Sequence, residues 1–277
     1  MQTETNLRTA TSPSRRRPAA VAAVLLAAVG AGAVLSGCGS HDDGTEVKTA
    51  PSASASQPGM DKKVLWLGDS IAGVEAPPLG AALKASGAEF KNASSDGGGT
   101  VVEGDKMSMP IAQQTWKDLR KDIASFHPDV IAYQITTYDW GTVQQQRASY
   151  EKLAKTAHYA GADLVIVSAP PYKVDDFYKK YAAAIKSAPK AAAEVAEGSG
   201  GTVRFFDASA LWGTDSTAAK AQRSSDGIHS CQQGSASFAK WFTAQLGTQY
   251  GFTPAAPDQW AKGSWVGEKR YAKLGCS

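Results

Sequence analysis

The feature that most constrains the fold is a regular alternation between short apolar runs and longer stretches with helical spacing. Apolar runs of this kind, each ended by a turn or a polar loop, predict buried strands. The intervening stretches place apolar residues three or four positions apart, which predicts helices. The predicted strands are 64–67, 89–93, 129–135, 164–167 and 203–206, and the predicted helices are 78–86, 111–125, 144–160, 175–197 and 232–246. Five strands alternating with helices predict an α/β fold with a parallel sheet covered on both faces.

The first 37 residues differ from the rest in composition. Arg8 and the run Arg15–Arg17 precede an apolar segment, 19–35, which is shorter than the ~20 residues of a membrane span. This arrangement is typical of a secretory signal. The sequence 35–38, Leu-Ser-Gly-Cys, resembles the bacterial lipobox, in which a peptidase cuts before the cysteine and the cysteine is acylated, as with palmitate. The resemblance implies a lipoprotein anchored through Cys38 to the outer face of the bacterial cell membrane. An ordinary signal peptide with an incidental cysteine is the alternative.

Residues 38–60 are rich in Ser, Ala, Thr and Pro and show no apolar periodicity, so we expect a flexible tether. Residues 61–277 are enough for one domain with a substantial core, followed by a C-terminal tail. Once Cys38 is assigned to acylation, Cys231 and Cys276 remain. Two cysteines in an exported domain favour a disulfide, with two free thiols as the alternative.

Charge and spacing exclude several functions. The formal net charge of +3 lies entirely in the leader, and the remainder has equal numbers of acidic and basic residues without basic runs. A neutral body argues against nucleic acid as a partner. Gly97–Gly99 is not followed by Lys-Ser/Thr, which excludes a P-loop, and no Cys/His cluster has the spacing of metal ligands. We therefore expect no metal and no cofactor. We also expect a monomer.

Three segments at the ends of predicted strands carry the candidate chemistry. Ser70 follows the first strand, the glycine-rich segment 92–100 follows the second, and Asp226 and His229 precede the last helix. The carboxyl ends of parallel strands meet at one edge of a sheet. A serine becomes a nucleophile when a histidine takes its proton and a carboxylate orients that histidine. Each motif alone also fits an ordinary turn, and their joint occurrence favours a serine hydrolase site.

These motifs resemble those of the SGNH/GDSL hydrolase family. Residues 68–70, Gly-Asp-Ser, resemble its first block, Asn92 with Gly97 its glycine block, and 226–229, Asp-Gly-Ile-His, its last block. The resemblance implies a flavodoxin-like three-layer α/β/α sandwich. It also implies that Ser70 is the nucleophile, His229 the base and Asp226 the residue that orients it. The backbone N–H groups of Ser70 and Gly97 would form the oxyanion hole, and Gly98 could replace Gly97 if the register differs by one.

One block departs from the family pattern. After the third strand the family has Gly-x-Asn-Asp, whose asparagine is a third oxyanion donor, whereas this chain has Thr136-Thr137-Tyr138-Asp139. With Asp139 in register, Tyr138 occupies the asparagine position. Loss of one such donor costs about 2.7–4 kcal/mol of transition-state stabilisation. The hydroxyl of Tyr138, or that of Thr136 or Thr137, is a candidate substitute.

The sequence therefore predicts an esterase that forms an acyl-Ser70 intermediate. Its substrates would be small-molecule or glycan acyl esters, among them O-acetylated carbohydrates. Two alternatives stay open. One is an O-acyltransferase in which a glycan hydroxyl replaces water, and the other is a non-catalytic binding protein on the same scaffold.

Overall fold

A computed structural model describes residues 59–276, so the predicted signal peptide, Cys38 and the tether up to residue 58 lie outside the described residues. The described chain contains a sheet of five parallel strands in the order β2-β1-β3-β4-β5. The strands are β1 (Lys63–Leu67), β2 (Glu89–Asn92), β3 (Val130–Gln134), β4 (Asp163–Val167) and β5 (Val203–Phe206). The five predicted strands are confirmed to within about two residues at their ends.

Helices cover both faces of this sheet. They are α1 (Ser70–Ala85), α2 (Ser108–Phe126), α3 (Val143–Tyr159), α4 (Asp176–Lys179), α5 (Ala182–Gly198), α6 (Ser209–Trp212), α7 (Gln232–Tyr250) and α8 (Lys269–Lys273). Side chains of β1 alternate between the two faces. Val64 and Trp66 pack into the core formed with α1 and α7, whereas Leu65 and Leu67 pack into the core formed with α2, α3 and α5. The predicted three-layer α/β/α sandwich is confirmed.

The start of the first helix was predicted wrongly. The apolar spacing predicts a helix that begins at Pro78, but α1 begins at Ser70 and passes through Pro77 and Pro78. Proline lacks the N–H that bonds to the carbonyl four residues earlier, so it normally ends or kinks a helix. Here the two missing bonds would have been made to Gly73 and Val74.

Both of those carbonyls have other partners. Arg270 Nη1 donates to the Gly73 carbonyl, and the Tyr271 hydroxyl donates to the Val74 carbonyl at 2.7 Å. The C-terminal tail thus supplies the two donors that the prolines remove. The helix can therefore begin at Ser70, directly after β1.

The fourth predicted helix, 175–197, is in fact two helices, α4 and α5, separated at Lys180 and Tyr181. Pro189 lies inside α5 without ending it. Tyr181 has non-helical backbone angles and stacks on Trp140 at 3.5 Å between ring centroids. A tertiary contact, rather than the proline, coincides with the interruption.

Candidate active site

The structure brings Ser70, His229 and Asp226 together at the carboxyl edge of the sheet. His229 Nε2 lies 2.8 Å from Ser70 Oγ, and His229 Nδ1 lies 2.7 Å from Asp226 Oδ2. If the carboxylate accepts the Nδ1 proton, Nε2 is the acceptor for the serine hydroxyl. The His229 side chain is 19% exposed and that of Asp226 is 35% exposed, so the group borders solvent. This geometry allows the imidazole to withdraw the Ser70 proton.

Asp226 also organises the turn that carries His229. Its Oδ1 accepts hydrogen bonds from the backbone N–H groups of Ile228 and His229, at 2.7 and 2.9 Å, and from the Ser224 hydroxyl at 2.7 Å. Burial raises the pKa of Asp226, but the bonds from the His229 ring and these backbone groups outweigh it and lower the pKa to about 2. The carboxylate is therefore ionised at neutral pH, beside the His229 ring.

Asp69 fixes the backbone next to Ser70 from the other side. It caps α1, with Oδ1 accepting from Ile71 N at 2.9 Å, while Oδ2 accepts from Thr137 N and Thr137 Oγ1 at 2.7 and 2.9 Å. Gly68 before it has φ +153°, and a Cβ there would lie 2.5 Å from that of Ala72. The turn between β1 and α1 is thus fixed, and it is joined to the loop after β3.

The glycine loop passes directly beside this turn. Gly99 has φ +55°, and a Cβ on it would lie 2.0 Å from the Gly68 carbonyl oxygen. Gly97 N donates to Ser95 Oγ and Gly98 N to the Ser95 carbonyl, each at 3.3 Å. Gly99 is therefore the glycine of this loop that packs against the backbone preceding Ser70. Sequence reasoning considered only Gly97 and Gly98, and Gly99 joins them as a candidate oxyanion donor.

The three hydroxyl groups proposed to replace the missing asparagine are now distinguished by their partners. The Thr136 hydroxyl donates to Asp139 at 2.6 Å, and the Thr137 hydroxyl donates to Asp69. Both protons are engaged by buried carboxylates. Tyr138 lies beside the glycine loop, its Cδ2 atom 3.5 Å from the position of a Cβ on Gly98. Tyr138 is the candidate among the three whose hydroxyl proton is not held by a carboxylate.

Asp139 is the centre of a buried hydroxyl network. Its two carboxylate oxygens accept four hydrogen bonds of 2.6 Å, from Thr100, Tyr133, Thr136 and Tyr150. Burial raises the pKa of this carboxyl, and the four hydroxyl groups act in the opposite direction. Thr100 follows the glycine loop and Thr136 belongs to the loop after β3, so Asp139 holds the two loops together. These contacts are those of a structural residue.

Two ionisable residues behind the turn that carries His229, Glu75 and Arg223, were missed by sequence reasoning. Arg223 Nη1 donates to the Ile228 carbonyl at 3.0 Å, and its guanidinium lies 4.6 Å from the ring centroid of Trp212. Glu75 is fully buried and accepts from Gln134 Nε2 at 2.7 Å. Burial raises the pKa of Glu75 to about 8, which the positive charge of Arg223 only partly offsets. An acidic residue within the apolar sequence 71–83 was the available signal.

Cys231 and Cys276 form a disulfide, as predicted. Cys231 stands two residues after His229 and immediately precedes α7, and Ser225 Oγ donates to the Leu274 carbonyl at 3.3 Å. The tail that supports α1 is therefore also attached to the turn that carries His229.

Within residues 59–276, no group of three or more His, Cys, Asp or Glu side chains is arranged to hold a metal ion. None of the helices in that range combines the length and apolar character that crossing a bilayer requires.

We compared the sequence and the structure with those of known proteins. By sequence, no family model and no curated protein matches the chain. By structure, it is similar to a GDSL-like lipase from Bacteroides thetaiotaomicron, with a TM-score of 0.52 and 14% identity over 70% of this chain and 92% of the other. It is also similar to an aryl esterase from M. smegmatis, with a TM-score of 0.50 and 14% identity over 68% and 99%. The chain has the fold of the SGNH/GDSL hydrolases.

Proposed function

We propose that this protein is a serine esterase that cleaves acyl esters through an acyl-Ser70 intermediate. The observation that carries the proposal is the pair of contacts that link Ser70 Oγ to His229 Nε2 at 2.8 Å and His229 Nδ1 to Asp226 at 2.7 Å. These are the distances that a general base and the group that orients it require. Two structural neighbours that share the fold, a GDSL-like lipase and an aryl esterase, carry the names of ester hydrolases.

The first half of the reaction forms the acyl-enzyme. His229 takes the Ser70 proton as Oγ attacks the ester carbonyl, and the imidazolium that forms is stabilised by Asp226. The negative oxygen of the tetrahedral intermediate accepts hydrogen bonds from the backbone N–H of Ser70 and from the glycine loop. His229 then gives its proton to the departing alkoxide, which leaves as the alcohol.

The second half repeats these steps with water. His229 takes a proton from a water molecule as the water oxygen attacks the acyl carbonyl. The bond between the acyl carbon and Ser70 Oγ then breaks, and His229 returns the proton to the serine. If a glycan hydroxyl attacks the acyl-Ser70 intermediate in the place of water, the acyl group is transferred to the glycan and the protein is an O-acyltransferase. Release of p-nitrophenol that accelerates when acceptor glycan is added would identify transfer.

The test of the proposal is steady-state hydrolysis of p-nitrophenyl acetate and of O-acetylated sugars. We expect turnover in the wild type and loss of at least ~10³-fold in Ser70→Ala. Ser125→Ala, an exposed serine at the opposite end of the sheet, is the matched control and should hydrolyse at the wild-type rate. Equal rates for the wild type and Ser70→Ala, with both proteins folded, would favour the binding-protein alternative.

Tyr138 is proposed as the third oxyanion donor. Tyr138→Phe removes the hydroxyl and keeps the ring, so a donor role predicts a fall in kcat of about 10²–10³-fold with little change in KM. An unchanged kcat would leave the backbone N–H groups as the only donors of this site.

We also propose that the protein is exported and anchored through a lipid on Cys38. The disulfide between Cys231 and Cys276 supports an oxidising compartment. Cys38→Ala should move the protein from the membrane fraction to the soluble fraction of cells that express the full chain. Retention of this variant in the membrane fraction would contradict the anchor.

A further inference from the structure

An exposed apolar surface begins beside the nucleophile. Phe177 is 44% exposed and Met107 is 46% exposed, and exposed apolar side chains are informative when they form a contiguous patch. Contacts join them through Tyr138, Trp140 and Tyr181. We call the set Met107, Tyr138, Phe177 and Tyr181, which rests on the buried ring of Trp140, the aromatic strip.

The aromatic strip is continuous. The Tyr138 ring lies 6.5 Å from Phe177 and 4.8 Å from Trp140, measured between centroids. Trp140 stacks on Tyr181 at 3.5 Å, and the Tyr181 hydroxyl lies 3.3 Å from Met107 Sδ. Each side chain thus touches the next one or the shared ring beneath it. Contiguous exposed apolar surface of this kind marks a binding site more often than scattered single residues do.

Two links place one end of the aromatic strip at the proposed catalytic centre. Tyr138 lies against Gly98, and the adjacent Gly99 packs on the backbone just before Ser70. Thr137, the residue before Tyr138, bonds through its N–H and hydroxyl to Asp69, the residue before Ser70. A substrate whose carbonyl is attacked by Ser70 therefore has the Tyr138 ring as a near neighbour.

The chemistry of the exposed members selects an apolar ligand group. Phe177 and Met107 offer ring and thioether surface and no hydrogen-bond donor. Ligand sites in general place a few polar groups among apolar ones. A surface that binds a sugar therefore needs polar groups for the sugar hydroxyls beside its aromatic ring. Lys180 Nζ lies 4.8 Å from the Tyr181 ring and contributes a cation at the margin. Two carboxylates lie next to the strip, and each accepts a backbone hydrogen bond at 2.9 Å: Asp105 Oδ1 from Met107 N and Asp175 Oδ1 from Phe177 N. These bonds are to the backbone, so the Phe177 ring and the Met107 thioether remain the exposed apolar surface.

We propose that the aromatic strip binds the apolar part of the ester, an alkyl chain or an aryl group, so that the protein prefers amphiphilic esters to acetylated sugars. This inference rests on the proposed function, because it takes Ser70 as the reacting group. Tyr138 stands where the family has asparagine, so the departure from the family pattern would supply substrate-binding surface in addition to any role toward the oxyanion.

The first experiment compares kcat/KM over two series of esters. One series lengthens the acyl chain of p-nitrophenyl esters from acetate to octanoate, and the other varies the alcohol of acetate esters from methyl to naphthyl. Burial of one methylene adds up to about fourfold, so a gain of roughly two- to fourfold per methylene, or a comparable gain for the aryl alcohol, is expected. Phe177→Ser should reduce, by about tenfold, the ratio of kcat/KM for the best apolar ester to kcat/KM for the simple acetate ester.

Tyr159→Ser is the matched control, because Tyr159 is an aromatic residue that is 87% exposed at the far end of α3. This variant should keep the wild-type ratio. A ratio that is the same in the wild type and Phe177→Ser would overturn the proposal. So would faster hydrolysis of acetylated sugars than of every apolar ester.

A second experiment separates this proposal from the catalytic one. Equilibrium binding of p-nitrophenyl octanoate and acetate is measured with the Ser70→Ala protein, which cannot form the acyl-enzyme. Tighter binding of the octanoate that Phe177→Ser weakens about tenfold supports the aromatic strip even if no ester is hydrolysed by the wild type. Equal affinity for the two esters overturns the proposal that the aromatic strip binds the apolar part of the ester, even if the wild type is an active esterase.

Discussion

The hydroxyl of Tyr271 donates a 2.7 Å hydrogen bond to the carbonyl of Val74, the acceptor that Pro78 leaves free in α1. Arg270 serves the neighbouring carbonyl of Gly73 in the same way. The two residues come from the end of the chain, nearly 200 positions away, and support the first turns of the helix that begins with Ser70. The tail is thus a structural part of the proposed catalytic centre.

Removal of the Tyr271 hydroxyl should destabilise the protein. Tyr271 is fully buried, so Tyr271→Phe leaves the Val74 carbonyl without its donor while the ring still packs. We expect the free energy of unfolding to fall by about 1–3 kcal/mol, measured by urea denaturation. Tyr159→Phe, at an exposed position, is the control and should change it little. Equal stability of the two variants would show that water replaces the lost donor.

The disulfide should stabilise the same region. Closing the ring between Cys231 and Cys276, 45 residues apart, contributes up to about 4 kcal/mol in the chain-entropy model. The double variant Cys231→Ser, Cys276→Ser should unfold with a free energy lower by about 2–4 kcal/mol. The wild type in dithiothreitol should behave like this variant, and a reductant-insensitive wild type with unpaired thiols would contradict the disulfide.

Glu75 should make stability depend on pH. Its pKa is raised from 4.5 to about 8 by burial, so between these values the folded protein holds a proton that the unfolded chain has lost. Stability therefore falls as pH rises from about 5 to 8, by up to ~1.4 kcal/mol per pH unit from this group. The groups that face Glu75 are Gln134, Arg223 and Ser230, with Asp69 farther away.

Glu75→Gln removes that titration and keeps an acceptor for Gln134. We expect its stability to fall less with pH than that of the wild type, so that the difference between the two proteins grows from pH 5 to pH 8. Urea denaturation at several pH values measures this difference. Parallel pH profiles for the two proteins would mean that Glu75 is ionised in the folded state.

Asp226→Asn should lower catalysis and leave the fold intact. The amide cannot stabilise the imidazolium and favours the wrong tautomer of His229, so kcat should fall by about 10²–10⁴-fold. The hydrogen bonds from the backbone N–H groups of Ile228 and His229 can persist, because the amide oxygen of asparagine still accepts them. Asp215→Asn, in an exposed turn outside the site, is the control. A rate for Asp226→Asn close to that of the control would remove Asp226 from the mechanism.

Much of the fold was predictable because strand and loop signals are local. The strands are short apolar runs, and the motifs around Ser70, Gly97 and His229 each follow or precede an element boundary that the sequence marks. Parallel topology then brings these loops to one edge. The order of the elements was therefore enough to bring Ser70 and His229 together.

The missed features depend on contacts between distant residues. The start of α1 was misplaced because the donors that compensate its prolines lie in α8. Arg223 and Glu75 are separated by 148 positions, and neither carries a motif. The stacking of Tyr181 on Trp140 occurs at the break between α4 and α5, which no residue pattern in 175–197 locates.

Reaction with a fluorophosphonate tests the central claim most directly, because the reagent modifies a serine only when a neighbouring base activates it. Intact and peptide mass spectrometry should find a single adduct, on Ser70, and His229→Ala should react far more slowly than the wild type. A folded wild-type protein in which Ser70 stays unmodified, or a His229→Ala variant that reacts at the wild-type rate, would contradict the proposed esterase.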